Sequence, residues 1–245
     1  MVDGNRHLRI KKRVAAFFLI PIVIIAASGA AAPPDKTSLS AAEDVQVVVI
    51  DPGHGGHDHG VKGQGGISEK QLMLALAGKI SRRLEPTFKV HLTRTGDYNL
   101  DIRHRTSIAN NHDADLFISL HAGGSYGSGV SGWSVYHDQQ KTVSRHIPEK
   151  TQGPFLWDQV QQRHIRSSSM LAEKIGKRLE AGAAGQIVDI MGAPLAVLSG
   201  ADMPAVVIET GCLTHASTAQ KFAQEAFIDE VAADIARGVF DFFEK

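Results

Sequence analysis

The chain has 245 residues, with 26 basic and 26 acidic side chains. A hydrophobic content of 43% supplies a core and excludes wholesale disorder, and a net charge of zero excludes a chain-wide nucleic-acid footprint. The single cysteine, Cys212, excludes an intrachain disulfide, and twelve histidines make their placement the question to follow along the chain.

Residues 1–32 read as a secretory signal peptide. Arg6, Arg9, Lys11, Lys12 and Arg13 form a basic head, and the apolar run 14–27 that follows is interrupted by Pro21. That run is shorter than the roughly 20 apolar residues a spanning helix needs, and Ala30-Ala31-Ala32 offers a small-residue cleavage site. The alternative is an uncleaved anchor, the one case in which the chain would associate with a membrane. Either way residues 45–245 are expected outside the cytoplasm, in the periplasm or cell envelope. Without residues 1–32, 21 basic side chains face 25 acidic ones. Residues 33–44 are small and polar, a short linker.

Strands and helices then alternate. The run QVVVI at 46–50 is continuously apolar, as in a strand buried on both faces. The sequence Asp51-Pro52-Gly53-His54-Gly55-Gly56 ends it in a tight loop. Ser68 as N-cap with Gln71 three residues on predicts a capping box, and Leu72, Leu76, Ile80 and Leu84 predict a helix stopped by Pro86. A strand is expected at 88–92, a helix at 102–111, a buried strand DLFISL at 115–120 and a strand at 132–136. Residues 138–154 show no period. A long helix follows over 157–179, then short strands at 186–190 and 196–198, a buried strand AVVI at 205–208, and helices at 216–223 and 227–243. The pattern predicts an α/β fold of three αβα layers around a mostly parallel sheet.

Three strand ends carry side chains suited to metal or acid–base chemistry: His54, His121 and Glu209. Sites in open α/β sheets form outside the carboxyl ends of the strands. Glu69, just after the Ser68 cap, is a fourth. Two histidines and a glutamate are a known ligand set for catalytic zinc, with a fourth position left for water.

The blocks VVVIDPGHGG, GISEK, LTRTGD, RTSIANN with ADLFISLHA, and VVIETGCLTH stand in order from residue 45 to the C-terminal region. In this the chain resembles the zinc-dependent N-acetylmuramoyl-L-alanine amidases of the bacterial cell wall, the Amidase_3 catalytic-domain family. The resemblance implies Zn²⁺ held by His54, Glu69 and His121, with Glu209 as general base. It implies hydrolysis of the amide between the lactyl group of N-acetylmuramic acid and L-alanine, with peptidoglycan as the partner; a monomer is the expected form. The chain departs from the usual family pattern at His57 (Lys), Gly123 (Asn), Cys212 (Phe) and His215 (Asn). Another envelope zinc peptidase or amidase, or a non-catalytic peptidoglycan-binding protein, remains the alternative.

Other residues weigh less. His57, Asp58 and His59 read as an exposed polar loop before a second metal or substrate contact. Arg94 and Arg105 could meet substrate carboxylates but sit in blocks that look structural. Trp133 and Trp157 read as packing before sugar stacking, and Cys212 as an apolar filler. His215 fits either a substrate contact or a helix cap. The segment between the 132–136 strand and the 157–179 helix is short and carries Pro148, Gly153 and Pro154. It is expected to form no long plugging helix over the site.

Overall fold

The computed structural model describes residues 45–123, 132–139 and 157–244. The expected signal peptide and linker, and most of the segment expected to lack a plugging helix, lie outside the described residues.

Six strands form one sheet: β1 (Val47–Pro52), β2 (Lys89–Leu92), β3 (Leu116–His121), β4 (Trp133–His137), β5 (Val188–Gly192) and β6 (Ala205–Glu209), in the order β2-β1-β3-β6-β4-β5. β1, β2, β3 and β6 are mutually parallel. β4 is parallel to β5 but antiparallel to β6, so this pair runs against the other four. The expected class, α/β with a mostly parallel sheet between helices, holds.

The apolar runs face two cores at once. Val48 and Ile50 of β1, with Ile118 and Val206, pack on α1 (Glu69–Leu84), α3 (Ile165–Ala181) and α5 (Glu225–Phe243). Val49, Phe117 and Val207 pack the other way, on Ala109 of α2 (Ile102–Asn111) and the loop carrying Leu198 and Met203. Period-two alternation with apolar side chains on both faces is what a continuous hydrophobic run encodes. The ammonium of Lys79 on α1 bridges Glu225 and Asp229 of α5 at 3.0 and 2.8 Å.

Three expectations are corrected. Residues 196–198 are not a strand: they lie in a turn, in which the N–H groups of Leu198 and Ser199 close on the carbonyls of Leu195 and Ala196, three residues back. The long helix begins at Ile165, because Trp157–Arg163 is a 3-10 helix. There the buried amide of Gln161 donates to the carbonyls of Ala201 and Met203 and accepts from Ser168 Oγ, a tertiary grip that periodicity cannot register. Ser68 does start α1, but its hydroxyl donates to the carbonyl of His59 and not into the helix.

On the β2 edge, the rings of His91 and His112 stack with centroids 3.7 Å apart and planes 10° apart. His91 Nε2 is buried without a hydrogen-bond partner among the described residues. Burial, then the neighbouring His112 and Lys89, push the His91 pKa down from its ordinary value. A lowered folded-state pKa means the neutral ring contributes stability above the ordinary histidine pKa, and that contribution is lost as pH falls through the folded value. Tm should therefore fall less between about pH 7.5 and 5 in His91→Gln than in the parent. Equal falls in a calorimetric comparison would remove His91 as the cause.

Candidate active site

The site is assembled on a frame of buried polar groups under the loop after β1. Asp51 is fully buried and accepts from Thr93 Oγ1, from Ser119 Oγ at 2.8 Å and from Arg105 Nη1 at 2.7 Å. Arg105 also donates to the carbonyls of Pro52, His54 and Leu100. Arg94, fully buried, donates to the carbonyls of Pro52, Gly53, Lys70 and Gly96. Burial, then the charge of Arg105, push the Arg94 pKa down. Both guanidiniums are engaged in holding backbone, the structural of the two roles weighed for them.

On this frame His54 takes a left-handed conformation, φ 61°. Few non-glycine residues adopt it, and here Arg105 holds its carbonyl. Two glycines give its neighbours room. A Cβ on Gly53 would stand 2.5 Å from the His121 ring, and one on Gly60 2.5 Å from the Glu69 carboxylate and 2.6 Å from the His54 ring.

His54, Glu69 and His121 converge, with one ligand atom from each within 4.8 Å of the others. Glu69 Oε1 is 3.0 Å from His54 Nε2 and 3.3 Å from His121 Nδ1, and it also accepts from the Ala122 N–H. Glu69 Oε2 accepts from the Val61 N–H at 2.8 Å. Burial alone would raise the Glu69 pKa, but the donors from His121, His54, Ala122 and Val61 hold it well below the usual carboxylate range. An ionised carboxylate between two imidazoles is a donor set that fits a divalent zinc ion.

Glu209 ends β6 in register with His121 of β3 and is buried. Its Oε2 accepts from the Gly123 N–H at 3.1 Å. The chain then turns back onto β3, as Thr210 N–H and Oγ1 both donate to the His121 carbonyl. The four expected residues thus meet at one sheet edge, with Glu209 beside the His54–Glu69–His121 cluster.

Asp58 belongs to the site more closely than an exposed polar loop implies. The Gly55–Asp58 bridge folds the loop back, so that the Asp58 carboxylate meets His54 Nδ1 at 2.9 Å and accepts from the Gly60 N–H. The signal in the sequence was the spacing H-G-G-x-D-x-G, a turn that returns an acid to the histidine starting it. His57 and His59 are exposed, as expected of that loop. Cys212 is half-buried, 2.9 Å from Thr214 Oγ1 and 3.8 Å from the Gly123 carbonyl, so it is not purely apolar filler. A cleft of about 470 Å³ opens on His54 and His121, walled by Leu100, Ile102, Leu195 and Val197.

Residues 48–241 match the model of the Amidase_3 family, described as N-acetylmuramoyl-L-alanine amidase. The N-acetylmuramoyl-L-alanine amidase AmiA of Escherichia coli (strain K12) is 30% identical over 220 residues, covering 81% of this chain and 76% of that protein. The N-acetylmuramoyl-L-alanine amidase LytC of Bacillus subtilis (strain 168) is 28% identical over 199 residues, covering 81% of this chain and 36% of that protein. Among solved structures, the catalytic domain of CwlV, the amidase of Bacillus (Paenibacillus) polymyxa var. colistinus, aligns with a TM-score of 0.66 at 29% identity, over 82% of this chain and 99% of that one. The N-acetylmuramoyl-L-alanine amidase of Clostridium difficile 630 aligns with a TM-score of 0.64 at 27% identity, over 82% and 98% of the two chains.

If the buried frame sets the loop, its loss is expensive. Arg105→Met leaves Asp51 charged and without its cation, and should cost about 3–5 kcal/mol in urea unfolding. A loss below about 1 kcal/mol, the range of exposed pairs, would show that Arg105 does not support Asp51.

Proposed function

The chain belongs to the Amidase_3 family of N-acetylmuramoyl-L-alanine amidases, and we propose that it hydrolyses the amide between the lactyl group of N-acetylmuramic acid and L-alanine in peptidoglycan, with zinc at His54, Glu69 and His121 and Glu209 as general base. The observation that carries the site assignment is the convergence of those three donors with a buried carboxylate in register beside them. Zinc, when bound, supplies a Lewis acid that makes water a competent nucleophile near neutral pH.

The chain's own groups account for the rest. Glu209, fixed by the Gly123 N–H, accepts a proton from the attacking water and delivers it to the departing alanine nitrogen. The carbonyl carbon gains oxygen, its bond to nitrogen breaks, and the products are a lactyl carboxylate and a free amine. Asp58 would set the tautomer of His54 in the metal-bound form, because a proton on Nδ1 shared with the carboxylate would leave Nε2 to hold the zinc. The same reading places the working chain outside the cytoplasm, which the basic-then-apolar N-terminal segment supports.

Glu209→Gln should keep the metal and lose at least about a hundredfold in turnover. Zinc per chain, with analysis of peptides released from peptidoglycan, checks both halves. Loss of zinc in that variant would mean that Glu209 is a ligand. A chelator should abolish release by the parent, and added zinc should restore it.

Asp58→Ala should weaken zinc binding about 10- to 100-fold, and Asp58→Asn, which keeps an acceptor, should recover part of that. Competition against a chromophoric chelator measures it. Unchanged affinity in the alanine variant would reduce Asp58 to a loop-forming residue.

A further inference from the structure

A second cavity, of about 240 Å³, lies at the same sheet edge on the opposite face. Its floor is Trp133, the first residue of β4, with Phe227 edge-on at 6.3 Å between ring centroids. Trp133 belongs to the core with α1, α3 and α5, whereas Leu195 and Val197, in the cleft over the histidines, pack against the other core. The register pair Ser134–Glu209 sets this floor one residue from the catalytic carboxylate's partner strand position, and Gly211 forms part of the wall.

The two hollows differ in chemistry. The rim of the second carries Gln186, His215, Thr218 and Lys221, and none of its lining residues is acidic. Lys221 Nζ stands 5.6 Å from the centroid of the Phe227 ring, so the charge lies over this floor. His215 occupies the N-cap position of α4 (Ala216–Phe222), yet its side chain makes no capping hydrogen bond, which leaves the exposed ring to the cavity. The cleft over His54 and His121 instead carries Asp58 and Asp101 beside its apolar walls. Its one arginine, Arg105, is committed to Asp51 and to three carbonyls.

We propose that the cavity between Trp133 and Lys221 binds a free carboxylate of the stem peptide, so that the substrate crosses the sheet edge with its peptide on this side and its sugar over Leu100 and Val197. This rests on the amidase reading above. The leaving group is the amine of a peptide, and a peptide bearing side-chain carboxylates meets Asp58 and Asp101 on one side and an ammonium with neutral donors on the other. A sugar brings no charge, and its C–H faces suit the aliphatic walls of the first cleft. Charge complementarity therefore sets the direction of the substrate, which the reacting groups alone leave open.

The test compares the parent with Lys221→Met on two soluble muramoyl peptides, one with a free carboxylate on the residue after L-alanine and one with that carboxylate amidated. For the free acid, KM should rise about fivefold in Lys221→Met, the scale of one partly exposed charge pair, with kcat within about twofold. For the amide the two proteins should have the same KM, and Lys221→Arg should restore the parent's KM on the acid. An unchanged KM on the acid would overturn the subsite. So would an equal rise on both substrates, which would assign Lys221 to packing on Phe227. Release by the parent with either of those results overturns the subsite alone, whereas a zinc-loaded parent that cleaves neither compound overturns the amidase reading together with it.

Discussion

Two guanidinium groups buried beneath one loop decide where His54 points. Arg94 and Arg105 together occupy the carbonyls of Pro52, Gly53 and His54, so the backbone leaving β1 has little freedom left. A buried cation is costly unless it is paired and fully hydrogen-bonded. Here Asp51 neutralises one of the two, and six backbone carbonyls, Pro52 serving both, accept seven hydrogen bonds from the pair. The loop could not move without stranding these charges, which is how an unfavourable left-handed residue persists at the centre of the site.

That rigidity passes to the ligand cluster through Glu69. The carboxylate arrives from the start of α1, yet its oxygens are held by N–H groups of two other segments, Val61 in the first loop and Ala122 after β3. Helix, loop and strand end are tied at one carboxylate, which holds the three donors together. Preorganisation of this kind spares the ordering cost that a flexible donor set would meet on binding.

Much of this was legible in the sequence, and the missing parts share a cause. Residues read by period or composition came out well: the buried strands, α2 at Ile102–Asn111, and the strand-end placement of His54, His121 and Glu209. What was missed depends on partners remote in the chain. Residues 196–198 have strand-like side chains, but their backbone closes on itself in a turn. Gln161 reshapes the start of a helix by reaching carbonyls 40 and 42 residues away. Arg94 and Arg105 sit in blocks that read as structural, and the fold adds which partners hold them, backbone carbonyls and Asp51. Asp58 was the one near miss, since its partner is four residues away and the glycine turn between them was in plain view.

The reversal of β4 and β5 was equally invisible to local pattern, and it shapes the site most. Had the sheet been wholly parallel, the edge carrying His54, His121 and Glu209 would have received only the carboxyl ends of strands and the loops after them. Because β4 runs against β6, its amino end reaches that edge and delivers Trp133, while Gln186, two residues before β5, lines the same cavity. This sheet edge consequently carries two hollows, one opening on His54 and His121 and walled by aliphatic and acidic groups, the other floored by aromatics under a cation. A linear substrate that is uncharged at one end of its scissile bond and anionic at the other meets unlike surroundings in its two orientations. Strand direction, a property of topology, thereby becomes a determinant of substrate orientation.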